Sequence, residues 1–293
     1  MPAMKRILLL AAASILLIPA LAFAAGRIRV VAAENFYGDI ARQIGGPQVA
    51  VTSILNNPNT DPHLFEVSPS VARAVSGASI VIYNGIDYDP WISNLLAATP
   101  SARRRIIDVA ALAGKHTGDN PHIWYDTDIM RACARELTQA LIAADPDHRM
   151  DYRRRLAQFE RSMQPVEARI AAMRKSLAGT PVTATEPVFG YMLAALGMEV
   201  RNRSFQLAIM NGTEPAAAAI AALENDLRSH RVRLLIYNSQ VSDPTADRMR
   251  RLAEASHIPV VAVTETEPPG ERYQDWIMKE LAAVAQALGG DQP

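Results

Sequence analysis

Short apolar runs rich in β-branched residues alternate along the chain with helical patterns. Residues 27–33 (RIRVVAA) predict a strand and 35–44 a helix. A strand over 49–55, a helix over 69–77 and a buried strand over 79–83 (SIVIY) follow. The second half repeats this order. Residues 181–184 predict a strand, and 187–196 a helix stopped by Gly197. Strands over 232–237 and 259–263 then alternate with helices over 244–255 and 272–288. Such alternation implies βαβ units, with parallel strands covered by helices on both faces. The halves share this pattern without a residue-level repeat.

Between them lies the most regular stretch. Leu156, Phe159, Met163, Val166, Ile170, Met173 and Leu177 are spaced alternately three and four residues apart. They form one apolar stripe on a helix, with charged residues on its other faces. Taken over 148–178, this helix would be about 45 Å long. Asp147 is placed to cap its start, and Gly179 lies just past its end. Pro165 falls inside it and predicts a kink. The length and central position suggest a stiff connector between two α/β halves.

The N-terminus follows a different pattern. Lys5 and Arg6 precede an apolar run over 7–18, then Pro19 and Ala22-Phe23-Ala24. This layout predicts a secretory signal peptide over 1–24, cleaved near Ala24. The organisation expected is then an N-terminal α/β lobe over 25–146, a connecting helix over 147–179 and a C-terminal α/β lobe over 180–293. A length of 293 residues allows each lobe its own core. No cysteine stands at the cleavage site to carry a lipid, so a soluble periplasmic protein is expected. The single cysteine, Cys133, lies in a helical pattern and reads as a small core residue.

Charge excludes some partners. Thirty basic residues balance thirty acidic ones, and loss of Lys5 and Arg6 leaves 28 against 30, a net −2. No strong field points to nucleic acid or anionic lipid, and a monomer is expected.

Chemistry centres on a few residues. Of six histidines, His148, His230 and His257 sit beside charged or helix-end sequence and read as terminal or surface residues. His63 and His122 each follow proline in turn-rich stretches, NTDPHLFEVSP and GDNPHIWYD, where a stiff loop presents the imidazole. Imidazole is the usual ligand of first-row metals. Glu186 and Glu267 follow predicted strands, at the ends where parallel sheets bind ligands. A helix cap for Glu186 and a solvated loop for Glu265 and Glu267 are the competing structural roles.

The chain resembles the metal-binding receptors of zinc- and manganese-uptake ABC transporters, the ZnuA/TroA-like group. VVAAENFYGDIARQIGG, DPHLFEVSPS, ASIVIYNG, NPHIWYD, the long central helix, TATEPVFGYMLAALG, NGTEP, LLIYNSQ and IPVVAVTETEPPG follow the family's order. The resemblance implies two α/β lobes with parallel sheets joined by one rigid helix, with one metal at their interface and an ABC permease as partner. It implies no enzymic activity. His63 and His122 match the family's two N-lobe histidine ligands. Glu186 stands where zinc receptors usually have histidine and manganese receptors often glutamate. Glu267 falls where an aspartate is frequent, and Glu265 lies two residues away. The His-rich acidic loop of many zinc receptors is absent; His116 alone stands in that region. Two imidazoles with one or two carboxylates suit zinc, manganese or iron(II). The competing functions are a receptor for a small organic solute, with Trp91, Trp124 and Tyr125 as candidate contacts, and a secreted zinc hydrolase. The latter lacks HExxH.

Overall fold

A computed structural model describes residues 26–58 and 62–289. The expected signal peptide lies outside the described residues. The N-terminal half carries β1 (Ile28–Glu34), β2 (Val49–Leu55), β3 (Ile80–Tyr83) and β4 (Arg105–Asp108). They form one parallel sheet in the order β2-β1-β3-β4. The C-terminal half carries β5 (Pro181–Ala184), β6 (Glu199–Val200), β7 (Leu235–Asn238) and β8 (Val260–Val263), ordered β6-β5-β7-β8 and again parallel. The two sheets thus share one topology. In each, the chain reverses its direction of winding between two central strands. Beyond the C-terminal ends of those strands lies the crevice where α/β sheets bind ligands.

The helices of the first half are α1 (Asn35–Gly45), α2 (Pro69–Gly77), α3 (Pro90–Ala98), α4 (Val109–Leu112) and α5 (Thr127–Ala144). Asp126 caps α5 by accepting the backbone N–H groups of Asp128 and Ile129. The second half holds α7 (Gly190–Ala195), α8 (Arg203–Met210), α9 (Ala217–Arg228), α10 (Pro244–Ala255) and α11 (Tyr273–Ala287).

Between them runs α6 (Arg149–Leu177), 29 residues and about 43 Å long. Phe159, Met163, Val166 and Met173 of the expected stripe are buried, and Leu156, Ile170 and Leu177 pack at its margins. Pro165 lies within an unbroken helix and on its exposed side, where water can satisfy the carbonyl that loses its partner. Asp147 does not cap α6. It belongs to a single 3-10 turn, Pro146–His148, and His148 takes the capping position without a side-chain bond.

The main core is shared between the lobes. One continuous core runs from Val30 and Ile82 past Phe159 and Met163 of α6 to Val182, Leu234 and Leu281. Two smaller clusters flank it, around Val81 and Ile92 in the first lobe and Phe205 and Leu227 in the second. Hydrogen bonds reinforce the junction. Tyr125 donates to the Thr264 carbonyl at 2.6 Å, and Tyr273 to the Trp124 carbonyl at 2.7 Å. Asp39 of α1 accepts the Tyr273 N–H at the start of α11. Among the described residues, no helix is long and apolar enough to cross a membrane.

Candidate metal centre

The ends of β5, β7 and β8 face a turn of the first lobe. Glu186 lies two residues past β5, Asn238 ends β7, and Glu265 lies two residues past β8. Opposite them, His122 immediately precedes a single 3-10 turn, Ile123–Tyr125, and Tyr88 lies between β3 and α3. Glu186, Asn238, Glu265 and His122 are all buried. Burying four such polar groups is tolerable only if each is hydrogen-bonded, paired or bound to a metal.

Asn238 ties the carboxylates together. Its Nδ2 donates to Glu186 Oε2 at 3.1 Å and to Glu265 Oε1 at 2.5 Å. Tyr88 donates its hydroxyl to Glu265 Oε2 at 2.8 Å. His122 Nε2 lies 3.9 Å from the same oxygen. The other ring nitrogen, Nδ1, lies 2.6 Å from Asn120 Oδ1. Among the described residues no three His, Cys, Asp or Glu side chains close into a compact metal cage. The His63 backbone belongs to a 3-10 turn, Pro62–Leu64, and its side chain lies outside the description.

Aromatic rings wall the first-lobe side. Trp124 is fully buried, 5.1 Å from the His122 ring and 4.9 Å from both Tyr88 and Phe36 between centroids. On the other side, Glu186 and Asn238 line a cleft of about 660 Å³ that extends to Asp243, Asp247 and Arg250. Glu186 does not cap α7, whose capping residue is Phe189.

A family described as zinc-uptake complex component A, periplasmic, matches residues 30–287. The chain belongs to this family. As a member of the periplasmic zinc-uptake family it is a transport receptor and not an enzyme, which removes the hydrolase reading. FimA of Streptococcus parasanguinis, a metal ABC transporter substrate-binding lipoprotein, is 23% identical over 286 residues, 90% of each chain. PsaA of Streptococcus pneumoniae, a manganese ABC transporter substrate-binding lipoprotein, is 24% identical over 283 residues, 89% of each. In three dimensions the chain is similar to the periplasmic zinc binding protein TroA of Treponema pallidum. The TM-score is 0.76 at 16% identity, covering 90% of this chain and 99% of that one.

Within this member of the zinc-uptake family, Glu267 lies in a different cleft from Glu186. Bends at Glu265 and Thr266 turn the chain. Gln240 Oε1 holds them by accepting both backbone N–H groups, at 2.5 and 3.0 Å. Glu265 therefore enters the His122 cluster, while Glu267 lines a separate cleft with Asp39 and Arg42. Asn35 clamps the Glu267 backbone, accepting its N–H at 2.9 Å and donating to its carbonyl at 2.5 Å. Burial, then the nearby Asp39, pushes the Glu267 carboxyl up to about 9.

Three polar residues near the cluster were not among the sequence candidates, although two of them lie in the NPHIWYD and LLIYNSQ motifs: Tyr88, Asn120 and Asn238. Trp91 packs on Phe65 in the first lobe, 4.6 Å between centroids. Cys133 is buried in α5, and burial pushes its thiol up to about 12, so it is unreactive. His116 lines a small exposed hollow with Lys115 and Asp87, away from the cluster.

Proposed function

We propose that this protein captures a divalent transition metal between its lobes in the periplasm and delivers it to the membrane permease of an ABC importer. Zinc and manganese are the principal candidates, and iron(II) suits the same donors. The ligands are His122, Glu186 and Glu265, with His63 as the fourth. The reading rests on one observation: His122 of the first lobe and the Asn238-linked carboxylates of the second converge beyond facing strand ends.

The donor set follows simple chemistry. Two neutral imidazoles and two carboxylates neutralise a divalent ion, so the loaded site carries no net buried charge. Nitrogen with hard oxygen suits zinc, manganese and iron(II), and the lack of thiolate disfavours copper(I). A small organic solute would need polar anchors in a roomy pocket. Among the described residues the cluster instead gathers His122, Glu186 and Glu265, with Tyr88 and Asn238 holding the carboxylates, against a Trp124 wall. The continuous core favours a small lobe adjustment over a wide hinge, and the closed form docks on the permease as a monomer.

Calorimetric titration with manganese and zinc tests this. His63→Ala and His122→Ala each weaken binding sharply while leaving the fold intact. Both metals also raise the melting temperature, by about 2.7 kcal/mol of stability at 100 times Kd. Calcium and magnesium, which prefer all-oxygen shells, leave it unchanged. Wild-type affinity in both histidine variants, or equal stabilisation by calcium, contradicts the assignment.

A further inference from the structure

We propose that Asn120 is a positioning residue that couples the orientation of His122 to closure of the two lobes. The proposal rests on the reading of His122 as a metal ligand. It stands on contacts that one side chain makes in both lobes.

Toward its own lobe, Asn120 Oδ1 accepts the His122 backbone N–H at 3.1 Å and lies 2.6 Å from His122 Nδ1. Toward the other lobe, Asn120 Nδ2 donates to the Pro187 carbonyl at 2.7 Å. Pro187 directly follows Glu186. The two ends of the amide cannot be exchanged, because a backbone N–H needs an acceptor and a carbonyl needs a donor. Oδ1 therefore faces Nδ1, and the neutral ring carries its proton there. That leaves Nε2, the nitrogen 3.9 Å from Glu265, with the lone pair a metal requires.

The second lobe is shaped around this side chain. Tyr191 donates its hydroxyl to the Asn120 carbonyl at 2.9 Å. A Cβ at Gly190 would lie 2.8 Å from Asn120 Nδ2, so any larger residue displaces the amide. The segment 187–191 thus receives Asn120 through a carbonyl, a missing side chain and a hydroxyl. If the lobes part, the Pro187 bond breaks, and the amide that fixes the His122 ring loses one of its anchors. Closure sharpens the ligand, and a bound metal holds the closed form. By linkage these effects are reciprocal.

Three variants separate the parts. Asn120→Ala removes both contacts. Asn120→Asp keeps an acceptor for His122 but loses the donor to Pro187. Gly190→Ala leaves every proposed ligand in place and crowds the amide. The measurements are manganese and zinc affinity by titration and metal release by stopped-flow mixing with a chelator. His122→Ala serves as the control, and circular dichroism monitors folding. Asn120→Ala is expected to bind about 10- to 100-fold more weakly, the usual cost of losing a ligand's orienting partner. Asn120→Asp recovers part of that affinity yet releases metal about 10-fold faster than wild type, the scale of one lost hydrogen bond between lobes. Gly190→Ala also speeds release. Wild-type release rates in both Asn120→Asp and Gly190→Ala would overturn the coupling. Wild-type affinity in Asn120→Ala would overturn the positioning role. Wild-type affinity in His122→Ala would overturn the metal-site reading itself, and this proposal with it.

Discussion

His122 and Glu265 meet across the boundary between the lobes, with Nε2 3.9 Å from Oε2 and both side chains shielded from solvent. Ligand atoms about 2.1 Å from a single ion cannot be more than about 4.2 Å apart. The observed separation falls inside that limit, so a small inward shift suffices to give both atoms to one metal. Because the two residues come from different lobes, a metal bound as proposed would resist lobe separation directly.

The partners of Glu265 set its orientation. Tyr88 holds one oxygen and Asn238 the other, with Asn238 also bonded to Glu186. Tyr88→Phe and Asn238→Ala are each expected to weaken manganese binding about 10- to 100-fold without removing a ligand. Asn238→Ala should be the more severe, since it releases two carboxylates. Titration of both variants checks this, and unchanged affinity in Asn238→Ala would show that the bridge is dispensable.

In the proposed ligand set, Glu186 is the residue that sets metal preference. Its replacement by histidine exchanges a hard, charged oxygen for a third imidazole, which favours zinc over manganese. Glu186→His is therefore expected to shift the zinc-to-manganese preference toward zinc in a competition titration. An unchanged preference would remove Glu186 from the ligand set.

Glu280 predicts a pH dependence of stability. It is buried in α11, where its Oε1 accepts from Tyr125 at 2.9 Å and Trp276 at 3.0 Å. Burial pushes its carboxyl up to about 8, and these hydrogen bonds only partly offset the shift. The folded state thus holds a proton that the unfolded chain has released. Stability from Glu280 is fully present below the ordinary carboxylate range and is lost as pH rises through about 8. Glu280→Gln keeps an acceptor and cannot ionise. Urea unfolding should find it close to wild type at low pH and more stable above pH about 8. Parallel curves for the two proteins would show that Glu280 does not titrate in this way.

Much of the fold was legible because buried parallel strands are short apolar runs and α6 carries an uninterrupted stripe. Weak signals were missed for physical reasons. β4 presents Arg105 and Ile106 to solvent, and β6 has only two residues, so neither forms an apolar run. The end-of-helix reading of His230 and His257 fits their backbone. Both follow helix ends with φ of 51° and 54°, in the left-handed region. Glu265 and Glu267 could not be ranked by periodicity, because both lie beyond β8 in irregular backbone. Their directions depend on Gln240, 25 residues from Glu265 in sequence, which ties the intervening turn. Asn120 and Asn238 look like ordinary turn and strand-end residues until the lobes are brought together.

The central claim is that Glu265, and not Glu267, completes the metal site with His122 and Glu186. Competition titration of Glu265→Ala and Glu267→Ala with manganese and zinc tests it most directly. The account predicts a large loss of affinity for both metals in Glu265→Ala and near-wild-type binding in Glu267→Ala, whose side chain lines a different cleft. Wild-type binding in Glu265→Ala with loss in Glu267→Ala would contradict it.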